Sequence, residues 1–415
     1  MAIKQNSAEF ASQITTGLRS DDSEGNIQVN KSPLSGEITD YLQERKDIED
    51  IYVHGRWKVR IESKLEALEP VILSIVLQAF ENAKHIHKML VYVKYNGYHI
   101  KDVEISKTKV GYKVVFTPIT PGNYDVELMI DEVTDKLNLL VQPQALRIIG
   151  ELLLSVPVKH PRSMAVNKTN TKLALTNYTS HNVALFNLEG ELIGKLGLDG
   201  VRDRSGRMKW ETCPSDLAFI DDVHIAVSCV NSDRITIHDT DSGDTIRSFH
   251  TDGNWGIGVD PGEDRIIIVK DVCNKRIQVF TSEAKFLYSM ELDALEDDVH
   301  ISGSIFHDKT FIVSDLRNHV LRVFRQKGLT ICKERNIGQR GGKDGELWQP
   351  HGVTVDKDDN ILVCDTGNHR LHKFNKDGDF IGKSDLIEEP SIIVCLNDGR
   401  LLVRDEERET IFIIK

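Results

Sequence analysis

The stretch Trp348-Gln-Pro-His-Gly-Val-Thr-Val-Asp356, followed by Asn360-Ile-Leu-Val-Cys-Asp365, Thr366-Gly-Asn-His-Arg370 and Leu371-His-Lys-Phe374, decides the fold. It holds three short apolar runs: Val353 to Val355, Ile361 to Val363 and Leu371 to Phe374. Turn formers bound each run: Pro350 and Gly352, then Lys357 to Asn360, Gly367-Asn368, and Lys376 to Gly378. Runs this short, rich in Val and Ile and closed by Asx and Gly, predict strands joined by hairpins. One such meander cannot cover both of its own faces, so it predicts further copies of itself.

Copies are present. Asp365-x-x-Asn368 followed by Phe374 recurs as Asp315-x-x-Asn318 with Phe324 and as Asp271-x-x-Asn274 with Phe280. Weaker copies are Ser228-x-x-Asn231 with Ile237, Asn177-x-x-Ser180 with Phe186, and Asp405-x-x-Arg408 with Ile414. With Ser180, Asn231, Asn274, Asn318, Asn368 and Arg408 taken as equivalent, the spacings are 51, 43, 44, 50 and 40 residues. Units of this length, each an antiparallel meander, predict a propeller. The Pro-x-Gly-Val-x-Val-Asp and Asp-x-x-Asn-x-Arg segments resemble the NHL repeat, and that resemblance implies a six-bladed β-propeller over 144–415.

Composition bounds the function. The chain has 415 residues, 40% of them hydrophobic and 28% charged, as in an ordinary globular protein. Its net charge is −12, divided as −4 over 1–143 and −8 over the rest, so neither part is a basic nucleic-acid arm. A local basic face on an acidic body stays open. No apolar run approaches the length of a membrane span, and the N-terminus has no secretory signal. All six cysteines fall between 213 and 395 without a Cys-x-x-Cys, which predicts buried free thiols and a cytoplasmic location.

Ahead of the repeats, residues 1–50 are polar and read as partly helical or disordered. Ala8 to Leu18 and Glu37 to Asp50 have helix-like spacing, and Arg19 to Lys31 reads as a loop. From Ile51 the period becomes two, and about seven strands follow to 143, with a hairpin signal at Asn96-Gly97. That pattern predicts an Ig-like sandwich over 51–143. Within it Gly111-Tyr112, Pro118, Pro121-Gly122 and Tyr124 resemble a filamin-type repeat. The last repeat ends on its third strand, and the run from Ala145 to Val156 is expected to supply the fourth and close the ring. The whole reading is all-β.

The repeat geometry places a binding face. The Asp and Asn of each copy are expected to shape the hairpin, with the Phe filling the layer between blades. The positions beside each incoming turn form a ring around the channel mouth: Arg162, Ser215, Trp255, Ile301, His351 and Ser391. Two long connectors add Arg202, Arg204, Arg207, Lys209 and Trp210, and then Arg340, Lys343 and Trp348. Tyr178, His369 and Arg370 share that face by register, although Trp348 also reads as packing and Arg370 as a bridge between blades. Aromatics interleaved with cations suit single-stranded nucleic acid and equally suit peptide hot spots. The acids Glu388, Glu389, Asp405, Glu406 and Glu407 should repel phosphate from the last blade.

No nucleophile elbow, phosphate-cradling glycine loop or paired acid and base is legible, and the mouth ring offers one histidine and no carboxylate for a metal. No cofactor and no enzyme activity are expected. A filamin-like domain followed by an NHL propeller resembles the C-terminal half of TRIM-NHL proteins, whose RING transfers ubiquitin. This chain has no cysteine before Cys213, which leaves no place in it for a RING or B-box. The resemblance implies a cytoplasmic module that binds single-stranded or stem-loop RNA as a post-transcriptional regulator. The alternatives are a protein-binding scaffold of the ubiquitin-ligase family and, more distantly, a metal-dependent propeller hydrolase. Self-association or a TRIM partner through residues 1–50 is a further expectation.

Overall fold

The computed structural model describes residues 37–39, 49–53, 57–77, 89–109, 111–130, 133–197, 213–230, 234–251, 256–260, 267–271, 276–291, 301–328, 330–384 and 386–415. Two five-stranded sheets come first. One runs Glu37–Thr39, Val133–Val141, Gly122–Ile130, Met89–Tyr95 and Tyr98–His99. The other runs Glu49–Val53, Trp57–Ile61, Val71–Leu77, Gly111–Phe116 and Val103–Lys107. Alternation along these strands sends Val59, Leu73 and Phe116 from one sheet, and Val93, Tyr124, Leu128 and Leu139 from the other, into one buried core. The two sheets therefore form a β-sandwich. Asn96-Gly97 makes the expected hairpin, with both residues at positive φ.

Two expectations change. Glu37 to Asp50 is helix-like in spacing, yet Glu37–Thr39 pairs parallel with Lys136 to Asn138, and Glu49–Val53 pairs with Trp57–Ile61. Edges already present in the two sheets offer a ladder, and pairing there outweighs weak helical periodicity. His99 to Ile105, one of the seven or so runs that the period-two pattern reads as a strand, divides between Tyr98–His99 and Val103–Lys107, which lie in different sheets. Ala8 to Leu18 and Arg19 to Lys31 lie outside the described residues.

Six sheets follow from residue 144 onward among the described residues. Their leading strands, in order, are Met164–Val166, Cys213–Phe219, Gly256–Val259, Ile301–His307, Pro350–Val355 and Pro390–Cys395. Each leading strand lies against the next, and the last lies against the first. The buried clusters obey the same rule. Val183 and Leu185 of sheet one pack with Leu217 and Val227 of sheet two, and Ile411 and Leu402 of sheet six pack with Leu173 and Phe186 of sheet one. This cyclic, nearly all-β arrangement is consistent with a β-propeller.

Close approach of the leading strands requires glycine at two places. A Cβ on Gly352 would stand 2.7 Å from the Ser391 carbonyl oxygen, and one on Gly303 would stand 2.4 Å from the His351 carbonyl oxygen. The glycine of Pro-x-Gly is thus there for the neighbouring sheet as much as for its own turn.

Closure follows the expected route and adds to it. Ile148–Leu152 pairs with Thr410–Ile414 and gives sheet six its fourth strand. Just before it, Gln144–Leu146 pairs parallel with Phe380–Ser384 as a fifth strand of sheet five. Gly382 permits this, because a Cβ there would meet the Gln144 carbonyl oxygen at 2.7 Å.

The repeat aromatics Phe186, Phe280, Phe324 and Phe374 are each no more than 4% exposed. Phe374 fills the cluster between sheets four and five. Phe374→Ala should therefore destabilise the protein by about 3–5 kcal/mol, read as a lower urea midpoint.

Candidate binding face

One carboxylate organises the turn that presents the site. Asp365 is fully buried and accepts three kinds of donor: the Trp348 N–H at 2.6 Å, the Asn368 amide at 2.8 Å and the Arg370 Nε–H at 2.9 Å. Burial pushes its carboxyl above the usual range, and these donors pull it back. Asp315 repeats the arrangement with Asn318 and Arg322, whose Nε donates at 2.7 Å. Asp405 accepts the N–H groups of Arg408, Glu388 and Glu389. The Asp and Asn therefore shape the hairpin as expected. The left-handed residue is the next one along, however: His319 at φ +59°, His369 at +57°, His181 at +52° and Glu409 at +51°. Asn318 and Asn368 spend their side chains on the acid instead.

Hydrogen bonds cross from sheet to sheet at this same end. Ser302 Oγ donates to the Pro350 carbonyl at 2.6 Å and Thr366 Oγ1 to the Pro390 carbonyl at 2.5 Å. Ser163 Oγ donates to Asp216 Oδ1 at 2.5 Å, and Asp216 Oδ2 accepts the Ile257 N–H at 2.8 Å. The mouth register shifts by one in sheet four. Ile301 pairs with Asp315 as Pro350 pairs with Asp365, so Ser302 holds the place expected for Ile301. In both sheets a bulge follows the residue that pairs with the Asp, between Ile301 and Gly303 and between Pro350 and Val353.

The described part of the face centres on Trp348. The residue is 37% exposed, which corrects its reading as packing. Its backbone is held by Asp365 and by the Gly367 N–H, which donates to the Trp348 carbonyl at 2.8 Å. Its ring backs onto Gly367, where a Cβ would lie 2.0 Å from Cδ1. The Arg340 guanidinium lies 4.8 Å from the indole centroid, and the His319 ring stacks at 5.4 Å and 29°. Burial and the Arg340 charge lower the His319 pKa. The Gln349 N–H donates to His319 Nδ1 at 3.0 Å, so the neutral ring carries its proton on Nε2. Arg340 and Lys343 are exposed on a connector pinned by Asn368, whose amide donates to the Gly341 carbonyl at 2.8 Å.

A second pair stands on sheet one, with Arg162 Cζ 4.4 Å above the Tyr178 ring. His369 is exposed, and its Nδ1 hydrogen-bonds to the Glu388 carbonyl. His351 is half-buried on the leading strand of sheet five. Arg370 is engaged within the protein: besides Asp365 it donates to the Lys343 and Glu346 carbonyls, in the connector that enters its own sheet. Arg202, Arg204, Arg207, Lys209, Trp210 and Trp255 lie outside the described residues. Sequence reasoning missed His319. Repeat alignment was the available signal, since it follows Asn318 as His369 follows Asn368.

His372 belongs beneath this face, not on it. It is fully buried against Phe374 and Phe380, and neither ring nitrogen has a hydrogen-bond partner. Among the described residues no group of three His, Cys, Asp or Glu side chains is placed to hold a metal, and no helix is long and apolar enough to cross a membrane.

The structure is one of cyclically packed sheets that carry a repeated turn, with cations stacked on aromatics at one end. The family model of the NHL repeat matches residues 347–374. The chain is 34% identical over 92 residues to Protein brain tumor of Drosophila melanogaster, covering 20% of this chain and 9% of that one. It is 45% identical over 47 residues to Protein lin-41 of Caenorhabditis elegans, covering 11% and 4%. It is also 31% identical over 77 residues to a probable peptidyl-alpha-hydroxyglycine alpha-amidating lyase, pgal-1, of C. elegans, covering 18% and 22%. The matched segments thus span less than a quarter of any of these relatives. A crystal structure of a protein of unknown function from Bacteroides thetaiotaomicron aligns over 86% of this chain and 98% of its own, at 15% identity and a TM-score of 0.49. A likeness that loose decides nothing about the fold.

Burial lowers the His372 pKa from 6.5 to about 3. The unfolded chain takes up a proton below 6.5 that the folded chain refuses, so this contribution to stability is complete above that pH and declines below it. The expected loss is about 1.4 kcal/mol per pH unit. Urea unfolding of wild type and His372→Leu between about pH 7 and pH 5 checks it, because the variant should show the shallower dependence.

Proposed function

We propose that residues 144–415 form a six-bladed NHL propeller preceded by a filamin-type Ig-like domain over 51–143, and that the propeller binds single-stranded or stem-loop RNA without catalysing a reaction. The carrying observation is the exposed Trp348 ring with Arg340 over it and His319 stacked on it. An indole held rigidly from behind by Gly367 offers a base a stacking surface at low entropic cost, and Arg340 and Lys343 supply charge for the phosphates. The Arg162–Tyr178 pair extends the same chemistry to sheet one. The Ig-like assignment is supported by the Tyr124 hydroxyl, which donates to the Thr120 carbonyl at 2.8 Å in the manner of a tyrosine corner. The setting is a cytoplasmic post-transcriptional regulator. Peptide recognition by the same aromatics and arginines, as part of a TRIM-type ligase, is the competing use of the face.

Mobility shift of a randomised stem-loop RNA pool tests the reading. Stacking on an aromatic contributes about 1–3 kcal/mol per base, so Trp348→Ala should weaken binding roughly 5- to 150-fold. Arg340→Glu with Lys343→Glu should weaken it further and flatten its salt dependence, and Arg204→Glu with Arg207→Glu extends the test to the first connector. Undiminished binding in the Arg340 and Trp348 variants would remove this site. Protein capture that survives nuclease treatment and is lost in the same variants would assign the face to a peptide. Stoichiometric calcium or zinc in purified protein would favour the channel enzyme to which the similarity with the lyase points.

A further inference from the structure

Arg404 stands just before the turn residue of sheet six. At that register sheets one, two, four and five carry the neutral Thr176, Ser228, Ser314 and Cys364, while sheet three carries another cation, Lys270. Arg404, the counterpart in sheet six, is 2% exposed. Its Nε has no hydrogen-bond partner, while the carboxylates of Glu406, Glu409 and Asp405 lie close enough to act on its charge. Two acids nearby are engaged elsewhere: Asp405 accepts three backbone N–H groups, and Glu406 accepts the Ser391 hydroxyl at 2.8 Å. Glu409, exposed at a left-handed turn position, is the remaining carboxylate.

Arg404 lines a cavity of about 230 Å³ between sheet six and the chain that runs from it toward sheet one. The walls mix apolar side chains, Leu152, Leu154, Pro157, Val158 and Ile411, with the polar Thr410 and Glu409. Leu153, 73% exposed, is part of the same lining. A guanidinium stays charged when buried, and a buried charge without a partner is strongly unfavourable. A buried cation in a pocket walled in part by apolar side chains suits a ligand that carries both an anionic group and an apolar body. A dry cavity of about 150 Å³ admits benzene, so this one has room for a compact hydrocarbon body with an acid group attached. The planar fork of arginine matches a carboxylate through two parallel hydrogen bonds.

We propose that this cavity binds a carboxylate carried on a compact apolar body, with Arg404 as its ion-pairing partner. The carboxylate comes either from a free organic acid or from the C-terminal residue of a peptide. The site does not rest on the RNA reading.

Titration of the full chain by NMR with benzoate, N-acetyl-leucine, N-acetyl-leucinamide and inorganic phosphate tests it. Both acids should bind saturably, and the amide should bind at least about tenfold more weakly because it lacks the charge. Phosphate, without an apolar body, should not displace benzoate. Arg404→Met should abolish acid binding, and Glu409→Gln should strengthen it by removing a competing carboxylate. Tighter binding of N-acetyl-leucine than of benzoate supports a peptide terminus, and the reverse supports a free acid. Should Arg404→Met fail to fold, Leu153→Trp, placed at an exposed position, should block the acids and leave the melting midpoint unchanged. The proposal is overturned if neither wild type nor Glu409→Gln binds an acid, if Arg404→Met still binds one, or if phosphate displaces benzoate.

Discussion

A buried carboxylate needs donors, and Asp365 finds them in three separate pieces of chain. Asn368 belongs to its own turn, Arg370 to the strand that follows, and Trp348 to the connector arriving from the sheet before. One anion thus sets the hairpin, starts the next strand and fixes where the connector lands. The exposed indole is held in place because its backbone N–H is committed to Asp365. Asp315 and Asp405 do the same for their own turns with different partners, so one end of the ring is built from repeated, nearly dry polar knots.

The sheets depend on one another in a second way. Each has an apolar face that only its neighbour covers, and leading strands approach closely enough that Gly303 and Gly352 admit no side chain. A ring of this kind is stable only when closed. Closure here is made by a segment from before the first sheet, Ile148–Leu152, whose backbone joins the C-terminal strand through Arg147 and Lys415. The parallel strand Gln144–Leu146 ties the same segment to sheet five. The cavity beside Arg404 follows from that route, because the chain must cross from sheet six to sheet one over the top of the join.

The strand pattern was legible because a half-buried strand must alternate and a tight turn must use Gly, Asn or Asp. Phe186, Phe280, Phe324 and Phe374 were read correctly as interior for the same reason. Local pattern failed where a distant partner decided the outcome. Glu37–Thr39 became a strand because an edge nearly a hundred residues later was open to it. Arg370 and Trp348 share a surface by register, yet one is spent on backbone carbonyls and the other is left open. Spacing cannot reveal that, since both side chains leave the chain at the same end.

The sequence by itself determined the kind of object: repeated antiparallel meanders, their turns, their interior aromatics and the end of the ring at which cations and aromatics gather. These follow from interactions within a few residues, repeated along the chain. Tertiary structure alone decided which of those groups face solvent, which residue takes the left-handed turn position, and that Arg404 is buried with no hydrogen-bond partner for its Nε. Each of these depends on what an adjacent sheet places opposite the residue, and that contact is invisible until the ring closes.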